Sequence, residues 1–283
     1  MKEIKIKGYG KINLSLDILG RRENGYHDLE MVMESVDLYD DICIQKTNAG
    51  IEVRTNHKNL PTDERNLAYR AAQLLMEKFE IKEGVRITID KNIPMAAGMA
   101  GGSADGAAVL TGMNQLFSLK LRKEELQELG LKLGADVPYC IEGGSAHAKG
   151  VGEILSPLKK IPACWIGIVK PDFDVSTKWA FETYDKLSEK RHPNTQRLLD
   201  AIQEEDLDKI GKSMGNVLEY VTIEEYPVIA EIKSKLMKHG ALGAMMTGSG
   251  PTVFGIFLSK EKALDALNHI EIGGVEKWVQ TLM

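Results

Sequence analysis

One run of small residues constrains this 283-residue chain more than any other feature. From Pro94 it reads Met95, Ala96, Ala97, Gly98, Met99, Ala100, Gly101, Gly102, Ser103, Ala104 and Asp105, then passes into Gly106-Ala107-Ala108-Val109-Leu110. Glycines at 98, 101 and 102 permit left-handed backbone and close approach of a ligand with no Cβ in the way. The spacing predicts a helix from about Ser103, whose unpaired N–H groups and dipole face whatever the loop encloses, so a phosphate fits there. A glycine and alanine turn that only lets a helix pack closely on a sheet explains the same residues, and the glycines alone do not separate the two readings.

The length suits one large or two modest domains. With 36 basic and 41 acidic side chains the net charge is −5, which gives no general footprint for nucleic acid or anionic lipid. No stretch approaches the roughly 18 consecutive apolar residues of a membrane span. The start, Met1-Lys2-Glu3-Ile4-Lys5-Ile6-Lys7, alternates like a strand and lacks the apolar core of a signal peptide, so a cytoplasmic location is expected. Cys43, Cys140 and Cys164 are odd in number and far apart, and the histidines show no ligand spacing; neither a disulfide framework nor a protein-built metal site is expected.

Alternation predicts strands at Ile4 to Tyr9, Asn13 to Leu19, Asp41 to Gln45, Ile51 to Arg54 and Val85 to Asp90. Helical periodicity covers Asn66 to Phe79, Ser103 to Phe117 and Lys123 to Leu133. The Pro-containing stretch Leu155 to Pro162 separates this half from an apolar strand, Cys164 to Val169, and predicts two domains, 1–160 and 161–283. Helices at 176–187, 195–202, 207–214, 226–238 and 260–270, with strands at 252–258 and 276–282, complete an α+β pattern without a strict βαβ rhythm.

Gly211-Lys212-Ser213 imitates the end of a phosphate-loop signature, but Asp206 stands where that signature needs glycine. The run at 94–105 instead resembles the second motif of the GHMP kinase superfamily, Pro-x-x-x-Gly-Leu-x-x-Ser-Ser, with Pro94, Gly98 and Ser103 in pattern positions. Lys11-Ile12-Asn13-Leu14 with Gly25-Tyr26-His27 is similar to the first motif of those members that act on 4-diphosphocytidyl-2-C-methyl-D-erythritol. Leu133-Gly134-Ala135-Asp136-Val137-Pro138 is similar to their catalytic segment, and Thr247-Gly248-Ser249-Gly250-Pro251-Thr252 to the superfamily's third, Gly-rich motif.

The resemblance implies a mixed α/β nucleotide-binding domain, a ferredoxin-like α+β C-terminal domain, and an active site in the cleft between them. It implies transfer of the γ-phosphoryl group of ATP, with Mg²⁺, to the 2-hydroxyl of the cytidine diphosphate substrate, a step of the non-mevalonate isoprenoid route. Such chemistry needs in-line positioning, cationic groups and an acceptor for the hydroxyl proton. In the family Asp136 is the base, and Lys11, costly to bury unpaired, is expected beside Asp136 and the transferring phosphate.

Residues 94 to 104 are expected to wrap the triphosphate, with Asn66 either near the adenine or capping the helix that begins there. Asn13, Tyr26 and His27 are assigned to the substrate, the two rings offering cytosine a π face and a polar edge. Phe181 is the candidate second aromatic, with Trp179 and Tyr184 close by. Lys149 meets the diphosphate or is a solvated lysine, and Gly248 and Ser249 complete the substrate side. Ala104 replaces a second serine and Met99-Ala100 replaces Leu-Gly, leaving backbone N–H groups to cradle phosphate. The expected partner is this small molecule alone, with no nucleic acid or membrane, and the protein a monomer or weak homodimer. A kinase for homoserine or mevalonate would not need Gly25-Tyr26-His27, and a non-catalytic nucleotide-binding protein would not need Lys11 and Asp136.

Overall fold

A computed structural model describes residues 1–283. Two long strands, β1 (Glu3–Arg21) and β2 (His27–Thr47), run through much of it, joined by a turn in which Gly25 has φ +86°. The sequence pattern expects a break between Tyr9 and Asn13, at Gly10, but the strand is continuous and holds both Gly8 and Gly10. A Cβ on Gly8 would lie 2.9 Å from the Ala104 carbonyl oxygen, and one on Gly10 3.3 Å from that of Leu38, so these glycines serve close packing rather than turning.

The chain folds into two compact units that interleave in sequence: residues 1–10, 38–95 and 100–143 form one, and 11–37, 96–99 and 144–283 the other. No single cut reproduces them. The stretch read as a boundary begins as a strand, Ile154–Pro157, inside the second unit.

In the first unit β3 (Ile51–Thr55) pairs parallel with β4 (Gly84–Asp90), which pairs antiparallel with Asp41 to Thr47 of β2, and β1 follows. Helices α1 (Leu67–Lys78), α2 (Gly101–Leu116), α3 (Lys123–Leu131) and α4 (Val137–Glu142) complete it. Ile42, Ile44, Ile87 and Ile89 of the sheet bury against Ala68, Ala71, Leu75, Ala107, Val109 and Leu110 of the helices. Gly112 lets the sheet approach closely, its Cβ position lying 2.7 Å from Cδ1 of Ile44.

In the second unit β5 (Ala146–Gly150) pairs with Leu29 to Met33 of β2, and β6 (Ile154–Pro157) pairs with β5. A separate antiparallel sheet contains β7 (Trp165–Pro171). There follow α5 (Thr177–Tyr184), α6 (Thr195–Gln203), α7 (Leu207–Ser213), the short β8 (Gly215–Asn216), α8 (Glu219–Glu225) and α9 (Val228–Lys238). Then come β9 (Gly243–Met246), β10 (Val253–Phe257), α10 (Lys260–Asn268) and β11 (Val275–Thr281). The separate sheet has the order β11-β7-β10-β9, so its strands in sequence lie 4-1-3-2, the ferredoxin-like arrangement.

Candidate active site

The stretch Lys11 to Ile18 alternates polar and apolar, which ordinarily gives a half-exposed strand. Here both faces are buried. Ile12, Leu14, Leu16 and Ile18 fill one side, and Lys11, Asn13, Ser15 and Asp17, none more than 4% exposed, form a polar stripe on the other. Each member is partnered as burial demands. Ser15 Oγ lies 3.2 Å from Thr195 Oγ1, and Asp17 receives His192 Nδ1 at 2.8 Å.

At the top of the stripe three sequence motifs meet. The Lys11 ammonium donates to Asn13 Oδ1 at 2.7 Å and to the Gly98 carbonyl at 3.0 Å. The Lys11 backbone N–H donates to the Met99 carbonyl at 3.1 Å. Asn13 Oδ1 also accepts the Gly248 N–H at 3.1 Å, and the Asn13 N–H donates to Thr247 Oγ1 at 3.0 Å. Gly98, with φ +68°, has no room for a side chain, because a Cβ would stand 2.2 Å from the Thr247 carbonyl oxygen. These acceptors around Lys11 are neutral, whereas the sequence reading expects an anionic neighbour. Two of three ammonium donors are satisfied, and a buried charge among neutral groups favours an arriving anion.

The loop before α2 carries further left-handed backbone at Ala96 (φ +49°) and Ala100 (φ +58°). Ala100 caps α2 without a side-chain hydrogen bond, so the first-turn N–H groups are left for a ligand, and a phosphate fits them. Ala97, Met99 and Ala104 are buried.

Asp136, in the first unit, is the N-cap residue of α4, half-buried, and makes no side-chain capping bond. The segment it ends lies against α2, with the Gly134 Cβ position 3.9 Å from Ser103 Oγ. Asn66 is where its helix-capping reading puts it: Oδ1 accepts the Ala68 N–H at 2.8 Å, Nδ2 donates to the Pro61 carbonyl at 2.7 Å, and 4% of the residue is exposed. Its side chain is committed at both ends.

His27 and Phe181 come together, their rings 5.0 Å apart and tilted by 36°. Trp179 instead packs edge-on to Tyr226, and Tyr184 is fully buried, which leaves Phe181 as the aromatic of α5 beside His27. His27 Nε2 lies 2.9 Å from Asp185 Oδ1, and because a carboxylate only accepts, Nε2 carries the proton. Tyr26, 62% exposed, follows the Gly25 turn. Ser249 Oγ meets Thr177 Oγ1 at 2.9 Å, tying the glycine-rich turn to the start of α5. Lys149 is an exposed strand lysine paired with Glu30 at 3.3 Å. Sequence reasoning misses Asp185 and Thr177; the only signal for Asp185 is its place four residues beyond Phe181, where a helix turns it to the same face.

Residues 66–144 match the family model of the GHMP kinases N terminal domain, and residues 198–275 that of the GHMP kinases C terminal. Over 268 residues the chain is 50% identical to 4-diphosphocytidyl-2-C-methyl-D-erythritol kinase of Clostridium perfringens (strain ATCC 13124), covering 93% of each chain. It superposes on a crystal structure of 4-(cytidine 5'-diphospho)-2C-methyl-D-erythritol kinase with a TM-score of 0.84 at 29% identity, covering 99% of both. Homoserine kinase from Cytophaga hutchinsonii shares the fold, with a TM-score of 0.79 at 22% identity over 100% of this chain and 95% of that one. The chain belongs to the GHMP kinase family, in its 4-diphosphocytidyl-2-C-methyl-D-erythritol kinase branch.

Proposed function

We propose that this chain transfers the γ-phosphoryl group of ATP to the 2-hydroxyl of 4-diphosphocytidyl-2-C-methyl-D-erythritol, in the non-mevalonate route to isoprenoids. The observation that carries the reading is the junction of Lys11, Asn13, Gly98, Thr247 and Gly248, where the first, second and third motifs are hydrogen-bonded around one buried ammonium.

The chain's own groups divide the work. Backbone N–H groups of the 94–104 loop and of the α2 N-terminus hold the triphosphate. Lys11 meets negative charge that grows on the transferring phosphoryl group, and its two neutral acceptors fix the ammonium without neutralising it. Asp136 receives the hydroxyl proton. Phe181 and Tyr26 offer faces to the cytosine, His27 a polar edge oriented by Asp185, and Asn13, Gly248, Ser249 and Lys149 complete the acceptor side. Mg²⁺ bound together with ATP would offset the charge of the phosphates; no side chain is assigned to hold it.

In family terms residues 1–160 form the N-terminal kinase domain and 161–283 the C-terminal one, a division distinct from the interleaved compact units. No helix is long and apolar enough to cross a membrane. The proposal includes a cytoplasmic protein that is a monomer or weak homodimer and takes no nucleic acid. ADP release with the cytidyl compound, homoserine and mevalonate offered in turn tests the reading: turnover confined to the first supports it, and turnover with either of the others contradicts the roles given to Tyr26 and His27.

A further inference from the structure

The first unit buries a second charged cluster that none of the steps above uses. The Lys91 ammonium pairs with Asp40 and, at 2.9 Å, with Oδ2 of Asp105; the three side chains are 3%, 0% and 1% exposed. Asp40 lies in β2, and its Oδ1 accepts the backbone N–H groups of Asn92 at 2.6 Å and Ile93 at 2.9 Å. Residues 91 to 93 lead directly into Pro94, while Asp105 belongs to α2, the helix that leaves the loop. The ammonium reaches the start of that helix, since a Cβ on Gly101 would stand 3.2 Å from Lys91 Nζ. A carboxylate of β2 thus holds the incoming stem, and the lysine of that stem holds the outgoing one.

Three buried charged side chains are a poor way to gain stability, because well-packed apolar residues often do as well or better. Oδ1 of Asp105 is buried with no partner, which adds to the cost. What such a cluster supplies is one defined geometry. The loop needs it, since Ala96 and Ala100 hold left-handed backbone that persists only where the surroundings over-determine it. Burial, ahead of the nearby Asp40 charge, pushes the Asp105 carboxyl up to about 8. Its Oδ2 accepts the Lys91 ammonium at 2.9 Å, a hydrogen bond that an asparagine at 105 can keep.

We propose that Lys91, Asp40 and Asp105 are positioning residues for the nucleotide, a buried staple that fixes both stems of the 94–100 loop and so the backbone N–H groups that receive phosphate. This rests on reading the loop as the ATP site.

The test is calorimetric titration with a non-hydrolysable ATP analogue, run beside KM for ATP and for the cytidyl compound, on wild type, D105A, K91Q and D105N. Thermal melts establish which variants are folded at the assay temperature, and if D105A is not, K91Q and D105N decide. D105A and K91Q should weaken the analogue about tenfold, with KM for the cytidyl compound changed by less than about twofold, and D105N should recover most of the loss. Equal loss for both substrates, or a lowered melting temperature with unchanged analogue affinity, overturns the staple. Analogue binding needs no acceptor, so a wild type that binds it without phosphorylating the cytidyl compound sinks the assigned reaction while the variants' affinities still decide the staple. A wild type that does not bind the analogue sinks the staple as well.

Discussion

Lys11 is almost fully buried, yet the groups it touches are a side-chain amide and a carbonyl. Methionine fills much of the same space and needs no hydrogen bonds, so Lys11→Met should stay folded while kcat falls by roughly 10²–10³, the usual cost of losing one group that stabilises transition-state charge. A variant with unchanged kcat would remove Lys11 from the chemistry. If Phe181 binds the base as proposed, Phe181→Ala should raise KM for the cytidyl compound by about two- to tenfold and leave KM for ATP alone. Trp179→Ala, acting on a ring committed to Tyr226, should do neither. Steady-state kinetics on both variants separates the two rings. At this scale the sequence is legible where a residue type is costly or rare in its place, as with Lys11 in an apolar strand or Gly25-Tyr26-His27 at a turn. It is opaque where function depends on a partner distant in the chain. Nothing at residue 27 announces Asp185, and only the fold shows which of Phe181, Trp179 and Tyr184 lies beside His27.

Two elements carry testable strain or charge. The 94–100 loop passes so close to Thr247 that Gly98→Ala must displace one of the two backbones, besides placing alanine at φ +68°. Its kcat/KM for ATP should fall at least about tenfold, with a stability loss of roughly 1–3 kcal/mol visible by urea unfolding. Unchanged values would mean that the contact between the second and third motifs is dispensable. In β2, Glu34 is wholly buried; it accepts a hydrogen bond from Ser145 Oγ, and its Oε1 has no partner. Burial outweighs that bond and pushes its carboxyl up to about 7. The unfolded chain returns it to about 4.3, so between those values the folded state binds more protons and stability falls as pH rises. Urea unfolding from pH 4.5 to 8 should show Glu34→Gln losing on the order of 3 kcal/mol of that decline; parallel curves for the two proteins would contradict it.

Periodicity locates α1, α3, α6 and α10 to within a few residues, because each shows one apolar face over two turns or more; α2 is located as closely although it is buried on nearly all sides. It misses the short α4 and α8, and it breaks β1 at Gly10, a glycine whose purpose is packing.

For the whole molecule, the alternation of strands and helices was enough to expect α+β layers, and the ferredoxin-like order of β11-β7-β10-β9 agrees with what the family resemblance implies. The interleaving of the compact units was not legible. It arises because β1 and β2 are long enough to pass from one unit to the other, a property of strand length that local patterns understate. The two residues given the chemistry accordingly belong to different units, Lys11 to one and Asp136 to the other. The most direct test of the central claim is ADP release with ATP, Mg²⁺ and the cytidyl compound, comparing wild type with Asp136→Asn. The amide keeps the size of the side chain and removes its ability to take a proton, so turnover should fall by roughly 10²–10⁴ with analogue binding intact. Wild-type rates in Asp136→Asn would contradict the assignment of the base and, with it, the mechanism built on it.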